Sequence, residues 1–383
     1  MSVAFHPSPR RILVRGVNWL GDAVMTAPAL LRLREKFPNA HIALLCPEKL
    51  RELWQHHPAI NETISFSPEE SVFAICKKLR AGKFDLALVL PNSPRSALEV
   101  FLARIPQRTG YARPWRNFFL TQTVVARDAA VKMKKRSVAE IHQLIANPTQ
   151  NSKFKIQNSS SHQIHEYLHL AAALGTNPEP LPPQLFVTPE EIEVVKIKFG
   201  LGKISQPIFG LNPGAEYGPA KRWPADHFIA TAIELQNRTN CIWLILGGKS
   251  DTELAAYIST KIASRVSHNA QPINHAGKTS LRELMALLKI CRVILTNDTG
   301  PMHLAAALGT PVVAPFGSTS PELTGPGLPG STHNHLLKSD APCSPCFLRE
   351  CPIDFRCMNG IPAGRAVEAV WEIHRRDAEA QRI

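Results

Sequence analysis

The sequence lacks a long apolar segment. No stretch of its 383 residues approaches the roughly 18 consecutive apolar residues that a membrane-spanning helix needs. The opening residues, MSVAFHPSPRR, contain no apolar run typical of a signal peptide. Cysteine is scarce, since eight residues in a chain of this length do not indicate a disulfide scaffold. We therefore expect a cytoplasmic protein whose cysteines are thiols unless they bind a metal.

Two common catalytic motifs are also missing. The segment after the first apolar run, at 16–22, is not G-x-G-x-x-G, and the sequence has no P-loop pattern G-x-x-x-x-G-K-[ST], which argues against a simple dinucleotide-binding protein or ATPase. It has no G-x-S-x-G, so an α/β-hydrolase has no support.

Acidic residues are fewer than basic ones. The chain has 44 Lys and Arg against 31 Asp and Glu, a formal net charge of +13 at pH 7. Such an excess favours anionic partners, namely phosphates, nucleic acid or an acidic membrane surface. Because the sequence has no aromatic stacking motif and no recognised DNA-binding helix module, we do not expect nucleic acid as a partner.

Strands and helices alternate along most of the chain. Continuous apolar runs predict buried strands at 11–15, 41–46, 84–90, 207–211, 241–246, 293–296 and 311–316. Helical spacing predicts helices between them, and solid apolar strands are typical of parallel sheets covered on both faces. A proline-rich segment at 178–189 is the expected interdomain linker. We predict an N-terminal domain at 1–183, a C-terminal domain at 184–361 and a C-terminal helix at 362–383.

The alternation breaks in the middle of the first predicted domain. A basic cluster at 132–136 and a Ser/Asn/Gln-rich tract at 147–162 lie there, and we expect the tract to be a surface loop. In sheets of this kind ligands bind at the carboxyl ends of the strands, which directs attention to the segments that follow them.

One such segment is Asn297-Asp298-Thr299-Gly300-Pro301-Met302-His303. It follows a predicted strand and opens a helix that Thr299 can cap. Gly300 permits close approach of a ligand to the backbone, and the free N–H groups with the helix dipole form an anion site. An ordinary helix start explains this heptapeptide equally well.

A second segment, at 212–224, lies between a strand and a helix. Lys221 and Arg222 stand beside the helix start, whose positive dipole end would repel them unless an anion lay between. We interpret this conflict as a sign of a phosphate or diphosphate ligand. The alternative is that both are solvated surface cations.

A third segment, at 16–22, follows the first strand. Asp22 begins a helix, where a carboxylate is favoured for structural reasons alone. If the segment lies opposite the anion site of the second domain, Asp22 becomes a candidate general base.

Four cysteines cluster near the end of the chain. Cys343, Cys346, Cys351 and Cys357 include a C-x2-C pair that suits zinc or iron–sulfur ligation, but the remaining spacings are irregular. Reduced structural thiols or a labile disulfide are the alternatives.

The three segments together resemble the ADP-heptose:lipopolysaccharide heptosyltransferases, glycosyltransferase family nine. The similarity rests on VRGVNWLGDAVMTAPAL at 14–30, NPGAEYGPAKRWP at 212–224 and TNDTGPMHLAAAL at 296–308. The second run is most similar to the heptosyltransferase II group. The resemblance implies a GT-B fold of two facing Rossmann-like domains. It also implies inverting transfer of heptose from ADP-heptose to the inner core of lipopolysaccharide, with no metal or other cofactor.

The resemblance also implies roles for individual residues. Asp22 falls on the position of the catalytic base, and Lys221 on a catalytic position that contacts the donor phosphates. The donor-binding residues are then Gly21, Gly214, Lys221, Arg222, Asp251, Asp298, Thr299, Gly300 and His303. The acceptor-binding residues are Asn18, Arg113 and Arg116. The expected partners are ADP-heptose, the lipid A–core acceptor and, peripherally, the inner membrane surface.

Two alternative functions stay open at this point. The chain would also suit a non-catalytic protein that binds nucleotide sugars, or a related family member that uses another sugar or acceptor. Turnover of the donor in the presence of a lipid-linked acceptor discriminates between binding and catalysis.

Overall fold

The computed structural model describes residues 9–148, 159–267, 270–328 and 330–380. The strands are β1 (Arg11–Arg15), β2 (His41–Pro47), β3 (Glu62–Phe66), β4 (Leu86–Val89), β5 (Gln107–Tyr111), β6 (Gln122–Val124), β7 (Ile208–Asn212), β8 (Ile242–Ile245), β9 (Ile273–Asn274), β10 (Val293–Thr296), β11 (Val312–Phe316) and β12 (His335–Lys338). The helices are α1 (Leu20–Lys36), α2 (Val72–Ala81), α3 (Pro94–Leu102), α4 (Val138–Ala146), α5 (Ile164–Ala172), α6 (Pro189–Lys198), α7 (Ala225–Thr239), α8 (Thr252–Ala263), α9 (Leu281–Ile290), α10 (Gly300–Ala307), α11 (Pro321–Thr324), α12 (Arg356–Asn359) and α13 (Ala363–Ala380).

The described residues divide into two compact units. The first lies within Met1–Ala130 and His162–Phe186, and the second within Val131–Ser161 and Val187–Ile383. Each unit contains a sheet of six parallel strands, as the continuous apolar runs predicted. The predicted α/β class with parallel sheets is confirmed.

Both sheets have the same topology. The strand order is β3-β2-β1-β4-β5-β6 in the first unit and β12-β11-β10-β7-β8-β9 in the second. Each is the 3-2-1-4-5-6 order of a doubly wound fold, in which the chain reverses direction beside the first strand. The crevice for a ligand therefore lies at the carboxyl ends of β1 and β4 in one unit, and of β7 and β10 in the other.

The central strands form the core of each unit. Ile12, Leu13 and Val14 of β1 are completely buried, and so are Val293, Ile294 and Leu295 of β10. Since a parallel strand is covered by helices on both faces, neither side of it can carry polar residues without partners. Polar side chains are consequently concentrated in the turns that follow these strands.

The division by contacts differs from the predicted division mainly in one segment. Residues 131–148 and 159–161 cluster with the second unit, whereas we predicted them in the first domain. The Arg136 backbone N–H donates to Cys346 O at 3.0 Å, and buried Ile141 of α4 packs with Cys343 and Cys346. Most of the polar tract predicted as a surface loop, residues 149–158, lies outside the described residues.

The C-terminal helix α13 packs against α7 in the second unit. Its buried residues, among them Ala366, Val367 and Val370, belong to the same apolar core as β7 and β10. Within the described residues, no helix is both long enough and apolar enough to cross a membrane.

Candidate functional site

A buried ion pair supports the turn after β1. Arg15, the last residue of β1, lies 2.8 Å from Glu99, with the two side chains 4% and 0% exposed. Arg15 Nη1 also donates to Gly16 O at 2.5 Å and to Asn18 Oδ1 at 3.2 Å. Asn18 itself is exposed, so this contact fixes the orientation of a side chain at the predicted acceptor site.

Asp22 lies in the first turn of α1, next to half-buried Gly21. Gln163 Nε2, at the N-cap of α5, lies 3.4 Å from Asp22 Oδ1 and 2.9 Å from the Tyr167 hydroxyl. Burial raises the pKa of the Tyr167 phenol well above its ordinary value, and the charge of Asp22 acts in the same direction. The half-buried carboxylate therefore lies near the N-termini of two helices, where the dipoles favour its charge.

Arg116 is buried at the carboxyl end of β4. Its side chain is 0% exposed, and Nη1 donates to Pro91 O at 2.7 Å. Nε and Nη2 have no hydrogen-bond partner within the described residues. Burial, together with the charge of Arg113, lowers the pKa of this guanidinium to about 10. An orphaned donor buried in this way costs free energy, which an anionic ligand would recover.

The guanidinium of Arg116 fits beneath the turn because residue 110 has no side chain. A Cβ atom at Gly110 would lie 2.8 Å from Arg116 Nη2. In this structure Arg116 supports the turn after β4 and does not present its charge to solvent. Arg113 is half-buried, and its guanidinium lies 5.5 Å from the centre of the Tyr111 ring.

In the second unit, two asparagines connect the turns after β7 and β10. Asn297 Nδ2 donates to Pro213 O at 2.7 Å and lies 3.3 Å from Gly214 O. Its Oδ1 accepts the Trp223 backbone N–H at 2.9 Å. Asn212 Nδ2 donates to Thr296 Oγ1 at 3.1 Å. These buried bonds join two motifs that are far apart in the sequence into one site.

Lys221 and Asp298 form the ion pair at the centre of this site. Lys221 Nζ lies 2.6 Å from Asp298 Oδ2, with the side chains 14% and 4% exposed. Asp298 Oδ2 also accepts the hydroxyl of buried Thr319 at 2.5 Å. Thr319 is a contact that the sequence reasoning did not identify.

Asp251 forms a second carboxylate contact at the same edge of the sheet. Its Oδ2 accepts the Gly248 N–H at 3.0 Å, and its Oδ1 lies 3.8 Å from Arg222. A Cβ atom at Gly214 would lie 2.3 Å from the Asp251 carboxyl carbon, so a side chain there would displace this carboxylate. Glu253, the other acidic residue of this loop, is exposed.

The start of α10 differs in one detail from the prediction. Thr299 occupies the N-cap position, but its side chain makes no capping hydrogen bond. Thr299 Oγ1 lies instead 3.4 Å from Asn212 Nδ2. Gly300 and Pro301 form the first turn, and His303 is 5% exposed. The N–H groups at this helix start lie beside the Lys221–Asp298 pair, as an anion site requires.

The structure resolves the charge conflict that the sequence suggested. Lys221 is paired with Asp298, and Arg222 lies near Asp251, so carboxylates of the protein balance both cations. Neither cation therefore needs a bound anion to explain its position, which corrects our interpretation of the loop. Lys221 is also not a solvated surface residue, whereas the Arg222 side chain is 41% exposed.

The eight cysteines are free thiols, including the four of the C-terminal cluster. Burial raises the pKa of Cys357 to about 12, and the nearby Cys343, Cys346 and Cys351 act in the same direction. Within the part of the chain that the structure describes, no three His, Cys, Asp or Glu side chains are arranged to hold a metal ion.

Sequence reasoning assigned no role to several residues that shape the two sites. In the first unit these are Arg15, Glu99 and Gln163, and in the second they are Asn212, Asn297 and Thr319. The two asparagines follow or end predicted strands, which is the one signal that would have identified them. Gln163 lies at the edge of the polar tract and gave no such signal.

The comparisons with known proteins agree with this architecture. The family model described as Glycosyltransferase family 9 (heptosyltransferase) matches residues 72–355. Lipopolysaccharide heptosyltransferase 2 of Salmonella typhimurium is 33% identical over 324 residues, which cover 82% of this chain and 85% of that protein. The protein of the same name from Escherichia coli K12 is likewise 33% identical over 324 residues, with the same coverage.

A solved structure extends the match to nearly the whole chain. The E. coli ADP-heptose LPS heptosyltransferase II is 28% identical, with a TM-score of 0.74 over 96% of this chain and 99% of that one. The two doubly wound units are those of the predicted GT-B class. The chain belongs to glycosyltransferase family 9, the heptosyltransferase family.

Proposed function

We propose that the protein transfers a heptose from ADP-heptose to the inner core of lipopolysaccharide, as a heptosyltransferase II. The names of the relatives at 33% identity give heptosyl transfer and lipopolysaccharide, and the name of the solved E. coli relative adds ADP-heptose. The structural observation that supports it most is the contact between Lys221 and Asp298, because it joins the two donor-binding motifs in one site. Donor-site roles for Gly21, Gly214, Arg222, Asp251, Thr299, Gly300 and His303 are part of the same proposal.

The proposed reaction inverts the anomeric carbon. The acceptor hydroxyl attacks that carbon, the bond between the sugar and ADP breaks, and the hydroxyl proton passes to Asp22. A positioned base of this kind contributes about 10²–10⁴-fold to the rate. Gln163 holds the carboxylate in place, and Asn18 contributes to the acceptor site.

The leaving ADP gains negative charge as the bond breaks. Lys221 and the N–H groups at the start of α10 stabilise that charge, and preorganised donors of this kind are often worth about 3–4 kcal/mol each. We propose that these fixed groups meet the requirement for positive charge and that the reaction needs no metal ion.

We propose further that the first unit contacts the inner membrane surface, where the lipid-linked acceptor resides. Trp115 and Phe118, in the turn between β5 and β6, are 89% and 81% exposed. Residues 100–127 include five arginines but no aspartate or glutamate, which suits an anionic lipid surface. Exposed aromatic side chains beside cations are typical of interfacial contacts.

The test of the reaction is an assay of the purified protein with ADP-heptose and defined core acceptors, with the product identified by mass. Addition of one heptose, unchanged by EDTA, is the expected result. Binding of ADP without transfer to any acceptor would favour a non-catalytic nucleotide-sugar-binding protein. Transfer that stops in EDTA and returns with a divalent cation would contradict the metal-free mechanism.

The membrane contact is tested with vesicles of phosphatidylcholine and phosphatidylglycerol. Trp115→Ser with Phe118→Ser should reduce co-sedimentation with the anionic vesicles, whereas Ile197→Ser, at a side chain 80% exposed in the second unit, should not. Equal binding of all three proteins would contradict the assignment of this surface.

A further inference from the structure

The cysteine-rich segment 343–357 is hydrogen-bonded to the loop at 212–224, which we call the donor loop. The Tyr217 hydroxyl donates to Phe347 O at 2.9 Å, and the Ala220 backbone N–H donates to Arg349 O at 2.9 Å. These bonds lie on both sides of the turn that leads to Lys221. The segment is therefore attached to the residues that position the central cation of the site.

Arg349 extends from this segment toward the same aromatic ring as Lys221. Its guanidinium carbon lies 5.1 Å from the centre of the Tyr217 ring, and Lys221 Nζ lies 5.0 Å from it. Cations at such distances are attracted by the ring, so Tyr217 favours the presence of both beside it. Two like charges at one ring repel each other, and a bound anion would relieve that repulsion.

Arg349 differs from Lys221 and Arg222 because no carboxylate of the described residues pairs with it. Lys221 is paired with Asp298, and Arg222 lies near Asp251. Arg349 is exposed, and its guanidinium has no ion pair or hydrogen bond with any residue that the structure describes. A diphosphate carries more than one negative charge, and the Lys221–Asp298 pair is neutral as a unit, so a further cation at the site would strengthen binding of the donor.

We propose that Arg349 binds the diphosphate of the donor and that segment 343–357 is therefore a part of the donor site. This inference rests on the proposed function. The planar fork of a guanidinium matches two phosphate oxygens at once, which suits Arg for this contact. The buried thiols Cys343 and Cys346 pack against Ile141 and keep the segment in place, without a chemical role.

The test compares Arg349→Gln and Arg349→Lys with the wild type by calorimetric titration of ADP, inorganic pyrophosphate and adenosine. Gln should weaken ADP and pyrophosphate about tenfold, as expected for one lost hydrogen bond to a charged group, and leave adenosine unchanged. Lys keeps the charge and should lose less. Arg265→Gln, at an exposed arginine of the same unit, is the matched control and should bind as the wild type does.

Two results would overturn the proposal. One is an ADP affinity of Arg349→Gln within twofold of the wild type, and the other is an equal loss for adenosine, which has no phosphates. If the wild type binds pyrophosphate through Arg349 but does not prefer ADP, the proposed donor fails while the role of Arg349 stands.

Variants at Tyr217 provide a second test of the proposal. Tyr217→Phe keeps the ring and loses only the hydroxyl bond to Phe347, so it should lose less affinity for ADP than a variant that removes the ring. Tyr217→Leu removes the ring beside both cations and should lose at least as much affinity as Arg349→Gln. Equal affinities of the Phe and Leu variants would contradict the role of the ring.

Discussion

Lys221 Nζ lies 2.6 Å from Asp298 Oδ2, in a site where Asp298 is almost completely buried. The cation proposed to bind the donor phosphates is thus held in place before any ligand arrives. Its partner is a carboxylate that a phosphate must compete with. The pair therefore links the stability of the second unit to its affinity for the donor.

Replacing Lys221 with Ala should lower both the stability of the second unit and its affinity for the donor. Removing one partner of a buried pair leaves Asp298 without its cation, and we expect the free energy of unfolding to fall by about 3 kcal/mol. Affinity for ADP should fall as well, because a positive charge is lost. Urea denaturation and calorimetric titration with ADP measure the two effects.

The double variant Lys221→Ala with Asp298→Asn separates these effects. The neutral amide at 298 needs no cation, so most of the lost stability should return, while the affinity for ADP should stay low. A double variant that binds ADP as tightly as the wild type would show that Lys221 does not contact the phosphates.

Asp22→Asn should abolish turnover and leave ADP binding intact. The amide cannot accept the hydroxyl proton, so kcat should fall by about 10²–10⁴-fold. Asp226→Asn is the matched control, because Asp226 is also an acidic residue in a first helical turn and lies in α7. Steady-state rates and ADP titrations on both variants are the measurements. Turnover of Asp22→Asn at the rate of the control would mean that another group is the base.

Arg116 is predicted to act on the acceptor, and its burial suggests a pair of variants. Arg116→Met removes the charge, and Gly110→Ala displaces the guanidinium, because the added Cβ would lie 2.8 Å from Nη2. Both should raise the KM for the acceptor and leave the Kd for ADP unchanged. If only Arg116→Met changes the KM, the position of the guanidinium does not matter. If neither does, Arg116 has a structural role in the turn after β4.

Much of the fold was predictable because the central strands are continuous apolar runs. The predicted strand at 293–296 has the same bounds as β10, and the predicted C-terminal helix, at 362–383, begins one residue before α13 does. The strands that sequence analysis missed include β5 (QRTGY) and β12 (HLLK). They lie toward the edges of their sheets, where partial exposure permits polar residues and obscures the pattern.

The sequence singled out individual residues of the candidate site but not their arrangement. Lys221 and Asp298 each stood out beside a helix start, yet no local pattern indicates that they form an ion pair. Gln163 reaches Asp22 because α5 packs on α1, which depends on the tertiary structure. The position of Arg349 at the Tyr217 ring likewise depends on how segment 343–357 folds onto residues 217–220.

His57 should make the stability of the first unit depend on pH. Its ring is 3% exposed, lies edge-on to Trp54 and Phe186, and accepts the Ala59 N–H at Nδ1. Burial lowers the pKa of His57 from 6.5 to about 4. Because the unfolded chain binds the proton more readily than the folded one, stability is lost as the pH falls from about 6.5 to about 4.

When the pH falls from 7.5 to 5, protonation of His57 in the unfolded chain should lower the free energy of unfolding by about 2 kcal/mol, at about 1.4 kcal/mol per pKa unit. His57→Asn keeps a neutral acceptor for the Ala59 N–H and has no proton to gain, so its loss over this range should be smaller by that amount. Urea denaturation of both proteins at the two pH values measures the difference, in which the contributions of the shared carboxylates cancel. Parallel pH profiles would mean that the folded protein accepts the proton on His57 as readily as the unfolded chain does.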